Sequence, residues 1–399
     1  MSIKLAKRIA KLGTETAFAV SADARAWADQ GNDVFPFHLG DMNIRTPLNI
    51  IEAGYKAMLD GKTGYGPAPG IPELRAALAE DVGKARGITY APEQVSVQPG
   101  GKPSIGKFLM TLMDKGDEVL YPNPGYPIYE SQIEYLGGVA VPYGYVPTDK
   151  GFMIDREKVE SSITPRTRLI YYNNGQNPIG AESDDDEMQW LADLAQKHDL
   201  FVFSDEPYFD IRYTGKSKSI ASLPGMQERT IIAYTFSKKY AMTGWRLGGA
   251  LGPKEVIDVF NKLNVNYESC TTTFIQHAGV EALKGDQSGH EEIIQVLQER
   301  RDVLVDLLND IEGVSVYKAP VTFYLFADVT GVYERKGYSS QADLRTEALK
   351  QTGVSFCSRS HFGKPLPGED RVFIRFAYSG IDVDRIREGI GKLKAFWES

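Results

Sequence analysis

Cysteine is scarce: Cys270 and Cys357 are the two in 399 residues. They form neither a zinc-ligand spacing nor a disulfide framework, which excludes a cysteine-stapled scaffold and a structural zinc module. No run approaches the roughly 20 apolar residues of a membrane-spanning helix. The start, Met1-Ser2-Ile3-Lys4-Leu5-Ala6-Lys7-Arg8, is amphipathic and lacks the apolar core of a signal peptide. Positive charge is outnumbered, with 45 Lys and Arg against 53 Asp and Glu, a net −8. That balance excludes a nucleic-acid or anionic-membrane surface as the main business. A Gly-x-Gly-x-x-Gly fingerprint between strand and helix is missing, which argues against a dinucleotide-binding dehydrogenase. Internal repeats and low-complexity tracts are missing too. A soluble, cytoplasmic protein is expected.

What remains has the make-up of an ordinary folded chain, 42% hydrophobic and 25% charged. The length suits two or three domains at roughly 100–200 residues each. Between Val95 and Gly252 short apolar runs alternate with helical stretches. The runs are Val95–Val97, Glu118–Tyr121, Leu169–Tyr172, Leu200–Phe203 and Ile231–Tyr234. Each is apolar on both faces, as buried parallel strands are. After Gly285 the pattern changes. His290–Ile311 reads as one long helix with Ile294, Leu297, Leu304, Leu308 and Ile311 on one face. Val314–Val316, Phe323–Phe326 and Val372–Phe376 read as strands of a second, smaller α+β unit. The first 45 residues carry no sheet pattern of their own and are expected to pack on that unit.

Open α/β sheets hold ligands beyond the carboxyl ends of their strands, so the candidate chemistry is sought there. Gly100-Gly101-Lys102 follows a strand and opens a helix, where free N–H groups can hold a phosphate. Asn177-Pro178-Ile179-Gly180 is a turn signal. Asp205 stands at a strand end, either as a helix cap or as the partner of a buried cation. Ser237-Lys238-Lys239 follows the last run. It is either a pair of surface lysines or a lysine that loses its proton in apolar surroundings and acts as an amine nucleophile.

Taken in order, strand–Gly-Gly-Lys–helix, Asn-Pro-x-Gly, Asp-x-x-Tyr, Ser-Lys and then Gly244-Trp245-Arg246-Leu247-Gly248, the pattern resembles the class I/II aminotransferases. It is similar in particular to their bacterial aspartate aminotransferase subgroup. The segment Gly64-Tyr65-Gly66 with Pro72-Glu73-Leu74-Arg75 fits the same family, so the resemblance spans nearly the whole chain. It implies an α/β fold of fold-type I, with a large mixed, mostly parallel sheet domain and a smaller α+β domain. The implied boundaries are an N-terminal arm at 1–45, a cofactor-binding domain at 46–285 and a small domain at 286–399. It implies pyridoxal 5′-phosphate as cofactor and transfer of an amino group from an α-amino acid to a 2-oxo acid. A β-lyase, decarboxylase or C–C synthase would share the same cofactor machinery.

The resemblance also implies roles. Lys238 would be the Schiff-base lysine, with Lys239 the competing candidate. Asp205 would pair with the pyridine nitrogen. Tyr208 and Asn177 would bond the ring's 3′-oxygen, and Tyr126 would stack on the ring. Gly101, Lys102, Ser237 and Arg246 would hold the phosphate. Tyr65 would reach the phosphate of a second subunit, which implies a homodimer with shared sites. Arg375 and the backbone of Gly40 would take the substrate α-carboxylate.

Two loops depart from the family. Gly40-Asp41-Met42-Asn43-Ile44 stands for the usual Gly-Glu-Pro-x-Phe, and Asn174-Gly175-Gln176-Asn177-Pro178-Ile179-Gly180 for Pro-Asn-Asn-Pro-Thr-Gly. Lys102 matches a lysine that meets a distal substrate carboxylate in the aspartate subgroup, while the threonine that assists it is Ala17 here. An acidic substrate in one half-reaction is the resulting expectation.

Overall fold

A computed structural model describes residues 3–13, 16–149 and 151–399. Met1 and Ser2 of the amphipathic start lie outside the described residues. Among those described, no helix is long and apolar enough to cross a membrane.

The centre is a seven-stranded sheet. Its order is Val95–Gln98, Gly248–Leu251, Thr230–Thr235, Phe201–Asp205, Thr167–Tyr172, Glu118–Pro122 and Val139–Tyr143. Gly248–Leu251 runs antiparallel to both its neighbours, and the other pairings are parallel. Each apolar run of the large unit falls in one of these strands, Leu200 lying one residue ahead of its own. Val95, Val97, Val119, Leu120, Val202, Phe203, Ile231 and Ile232 are fully buried, because helices cover both faces. Six strands therefore end on one edge. The antiparallel strand begins on that edge, which brings Arg246, two residues ahead of it, to the same place.

The second unit has its own core. The helix Ser288–Asn309 packs Leu297, Leu304 and Leu308 against the sheet Tyr324–Asp328, Phe373–Ala377 and Cys357–Ser358. Ile293 is buried more fully than the expected Ile294, and Arg300 and Arg301 are buried beside the apolar stripe. The N-terminal segment joins this core: Phe35 and Phe37 lie in it, and Phe35–Pro36 pairs with Val354–Ser355.

The expected strand Val314–Val316 is a single bridge, Ser315 to Asp328. The side chain of Asn309 accepts from the amide of Val316 at 2.8 Å and donates to its carbonyl at 3.2 Å. Those groups are thereby withdrawn from the ladder.

Candidate active site

A cavity of about 700 Å³ opens beyond the carboxyl edge of the large sheet, against the second unit. Gly40, Gly101, Lys102, Tyr126, Asn177, Asp205, Tyr208, Ser237, Lys238, Arg246 and Arg375 all line it. Two candidates are not brought there: Tyr65, which is 93% exposed to solvent, and Lys239, the alternative to Lys238.

One end of the cavity is built for an anion. Gly101 precedes the helix Lys102–Leu112, whose first amides have no intrahelical partner. Gly100 has φ +94°, and a Cβ there would lie 2.2 Å from Arg246 Nη2, so only glycine lets the guanidinium close over this loop. Arg246 is itself left-handed, φ 55°, and is tied by Nη1 to the carbonyl of Thr243 at 2.8 Å. Opposite stands the Ser237 hydroxyl, which accepts from Thr235 Oγ1 at 2.9 Å.

At the floor, Asp205 ends its strand. Burial pushes its carboxyl up to about 6, against the hydrogen bond from the Tyr129 hydroxyl, with Glu206 adding to the rise. Tyr129 is held by stacking on Tyr171, 4.6 Å between centroids. Asn173 Nδ2 donates to the Asp205 carbonyl at 2.7 Å, and Asn173 Oδ1 accepts from the Asn177 amide at 2.9 Å. These partners of Asp205 are uncharged, so a cation in the cavity would complete its pairing. Tyr208 shares a 3.0 Å hydrogen bond with Tyr324, and burial holds its phenol well above the usual range.

The two lysines diverge. Lys238 enters the cavity, where its Nζ donates to the Gly40 carbonyl at 2.8 Å. Lys239 turns away and is buried between Asp81 and Asp210. Gly40 sits so close to Tyr324 that a Cβ would fall 2.0 Å from its hydroxyl.

Arg375 is 3% exposed, with Nη1 donating to Asn177 Oδ1 at 2.9 Å and Nη2 to the His38 carbonyl at 2.6 Å. The rings of Tyr324 and Phe362 flank it at 4.5 and 4.6 Å. Among the described residues its Nε has no partner. None of these neighbours is a carboxylate, so a buried guanidinium faces the cavity with capacity for one. Lys102 is exposed at the mouth, 5.6 Å from the Tyr126 ring centroid.

The variant loops are braced in their own ways. Gln176 Nε2 donates to the Pro124 carbonyl at 2.6 Å, and Gln176 Oε1 accepts from the Ile179 amide at 3.0 Å. Asp41 accepts from Thr243 Oγ1 at 2.8 Å, and its carbonyl accepts from Ser379 at 2.6 Å. Ala17 lines the cavity as expected, but so does Thr16, whose hydroxyl donates to the His361 carbonyl at 2.9 Å.

Tyr129, Asn173, Tyr324 and His361 were not singled out in the sequence. Tyr129 and Asn173 had a local signal, lying three residues after Tyr126 and at the end of a recognised strand. Tyr324 and His361 come from the second unit and had none.

The chain matches the aminotransferase class I and II family over residues 32–393. It is 34% identical to a probable aspartate/prephenate aminotransferase of Aquifex aeolicus, over 98% of each chain. It is 31% identical to an aspartate aminotransferase of Geobacillus stearothermophilus over the full length of both. Among solved structures, aspartate aminotransferase from Thermus thermophilus with maleate superposes with a TM-score of 0.90. That pair is 29% identical, over 99% of this chain and 100% of the other.

Proposed function

Because the chain belongs to the aminotransferase class I and II family, and is thus a pyridoxal 5′-phosphate-dependent transaminase, we propose that Lys238, Asp205 and Arg375 carry its reaction. The cavity's donors suit this cofactor. The Gly100–Gly101 loop, Ser237 and Arg246 form a cradle that a Cβ at Gly100 would fill, and Asp205 offers a carboxyl with no cationic partner among the described residues. When bound, pyridoxal phosphate supplies an aldehyde that takes up the amino group and a cationic ring that accepts the electron pair of the broken Cα–H bond.

The residues then divide the work. The amides of Gly101 and Lys102, the Ser237 hydroxyl and Arg246 bind the phosphate. Asp205 would hold a protonated ring nitrogen, and Tyr126 would lie against the ring. The Tyr208 hydroxyl and Asn177 address the ring's 3′-oxygen. Arg375 holds the substrate α-carboxylate in a fixed orientation, with Asn177 steering the guanidinium and the Gly40 backbone beside it. Lys238 Nζ would be the amine that attaches the cofactor and, as a free base, would move the proton at the substrate Cα.

The observation that carries this assignment is Arg375, a buried guanidinium with an unpartnered Nε, facing the same cavity as Lys238 and Asp205. Lys238→Ala is expected to bind the cofactor without linking it to the protein and to lose about four orders of magnitude in turnover. Absorbance of the cofactor after adding amino donor alone measures this. Retained turnover in that variant would move the role to Lys239 or elsewhere.

We further propose a dicarboxylic amino acid, aspartate or glutamate, as substrate in one half-reaction. Lys102 at the mouth and the similarity to aspartate aminotransferases support it. The division into an arm at 1–45, a cofactor domain at 46–285 and a small domain at 286–399 is part of the same proposal, supported by separate cores for the large sheet and the second unit. So is a cytoplasmic homodimer. Its support is two unbridged cysteines, the fully exposed Tyr65 and an apolar surface taken up in the Discussion.

A further inference from the structure

Lys239 is buried, charged and unused by the chemistry above. It ends the single-turn helix Phe236–Lys239 that carries Lys238. So short a helix has little stability of its own and is held by what surrounds it. Lys239 Nζ lies 3.4 Å from Asp210 Oδ1, 3.7 Å from Asp81 Oδ2 and 5.3 Å from the Tyr240 ring centroid. Burial opposes its charge, but Asp210, Tyr240 and Asp81 together hold it protonated above the usual lysine range. Its carbonyl accepts a 3.0 Å hydrogen bond from His290 Nδ1, and burial and the neighbouring Lys239 charge lower that imidazole's affinity for a second proton.

These partners come from separate parts of the fold. Asp81 belongs to the helix Pro72–Arg86, Asp210 follows Tyr208 by two residues, and His290 belongs to the helix Ser288–Asn309 of the second unit. The helix that supplies Asp81 also supplies Arg86. Arg86 Nε donates to Glu206 Oε2 at 2.6 Å, with both side chains almost wholly buried. Glu206 is the neighbour of Asp205, and its other oxygen accepts from Ser204 and Ser219 at 2.6 and 2.5 Å. One helix thus backs both the amine-bearing turn and the carboxylate-bearing strand end.

We propose that Lys239 is a positioning residue: clamped between Asp210 and Asp81, it fixes the turn from which Lys238 reaches the cofactor, and so sets how firmly and at what angle the cofactor is held. The proposal rests on the assignment of Lys238 as the attachment lysine. A displacement of about 1 Å at a reacting group is costly, and a half-buried carboxylate pair deprived of its cation must rearrange or take up protons.

The test uses the full-length holoenzyme in three variants, Lys239→Met, Lys239→Arg and Asp210→Asn. Two readouts are followed, the rate of cofactor loss on dialysis and the visible circular dichroism of the bound cofactor. Lys239→Met is expected to keep the lysine-linked absorption band, release cofactor about tenfold faster and show a weakened dichroic band. Lys239→Arg is expected to restore both towards the wild type. Unchanged release and dichroism in Lys239→Met would overturn the proposal. Equal damage in the Met and Arg variants would overturn it too, since a site that needs only lysine's shape is not a charge clamp. Should Lys239→Met not accumulate as folded protein, Asp210→Asn decides by the same readouts, and wild-type values there overturn the proposal. Failure of the underlying assignment has a different signature: the lysine-linked band would survive in Lys238→Ala and vanish in Lys239→Met.

Discussion

In the cofactor-free protein the Asp205 carboxyl sits at about 6 instead of 3.8, chiefly because burial disfavours its charge. The folded state therefore holds this proton more tightly than the unfolded chain does. The stability it contributes is complete below pH 4 and is lost as the pH rises through 6. The displacement corresponds to about 3 kcal/mol across that window. A cationic ring nitrogen reverses the preference, since it favours the carboxylate. Thermal unfolding of apo and holo protein between pH 4 and 8 is expected to show a gap that widens with pH. Asp205→Asn should flatten the apo dependence in that window and weaken cofactor binding. An Asn variant whose apo stability falls as steeply as the wild type's would show that Asp205 is not the group responsible. Arg375 has the complementary arrangement, a buried charge whose neighbours orient it and leave its Nε open.

At the level of elements, the proposed phosphate cradle depends on how closely one loop lets Arg246 approach. Gly100→Ala would place an L-residue at φ +94° and its Cβ 2.2 Å from Arg246 Nη2. Losing one charge-assisted hydrogen bond, worth about 1.5–3 kcal/mol, should weaken cofactor binding about 10- to 100-fold. Gly101→Ala, next door at φ −72° and 3.4 Å from Thr235 Cβ, should bind close to the wild type. Titrating apo protein with cofactor and following the fluorescence of Trp245, adjacent to Arg246, compares the two. Equal affinities would remove Arg246 from the cradle. Elements of this kind are legible in a sequence. Strands buried on both faces read as short apolar runs, and the residues closing them carry the chemistry, so Asp205, Asn177 and Lys238 stand out locally. What is not legible is whatever two distant elements make together. The Tyr208–Tyr324 hydrogen bond joins the large sheet to the second unit, and Phe35 finds its strand partner at Val354. The Val314–Val316 run fails as a strand because Asn309, outside it, captures the Val316 amide. The direction in which Lys239 turns is set by Asp81, Asp210 and His290, which no local pattern connects.

For the molecule as a whole, one helix carries an apolar exterior that bears on the proposed homodimer. Leu48–Leu59 buries Ile50, Gly54 and Ala57 against its own subunit, yet exposes Leu48, Ile51, Tyr55, Met58 and Leu59. Leu48, Ile51, Tyr55 and Met58 recur at helical spacing and form a second apolar stripe. Exposed Val265 and Tyr267 add to the apolar surface, and Tyr65 follows the helix with 93% of its surface free. An exposed apolar stripe of this kind is what the proposed homodimer would cover, and an isologous pairing would let each subunit offer Tyr65 to the other's proposed phosphate cradle. Two variants separate assembly from chemistry. Ile51→Asp with Met58→Asp should yield monomers in sedimentation velocity and bind cofactor at least about tenfold more weakly, since a phosphate partner departs with the second subunit. Tyr65→Phe should remain dimeric and show a similar loss of cofactor affinity, because only its hydroxyl is removed. A monomeric double variant that binds cofactor like the wild type would mean that each subunit completes its own site, and Tyr65 would then have no part in the cradle.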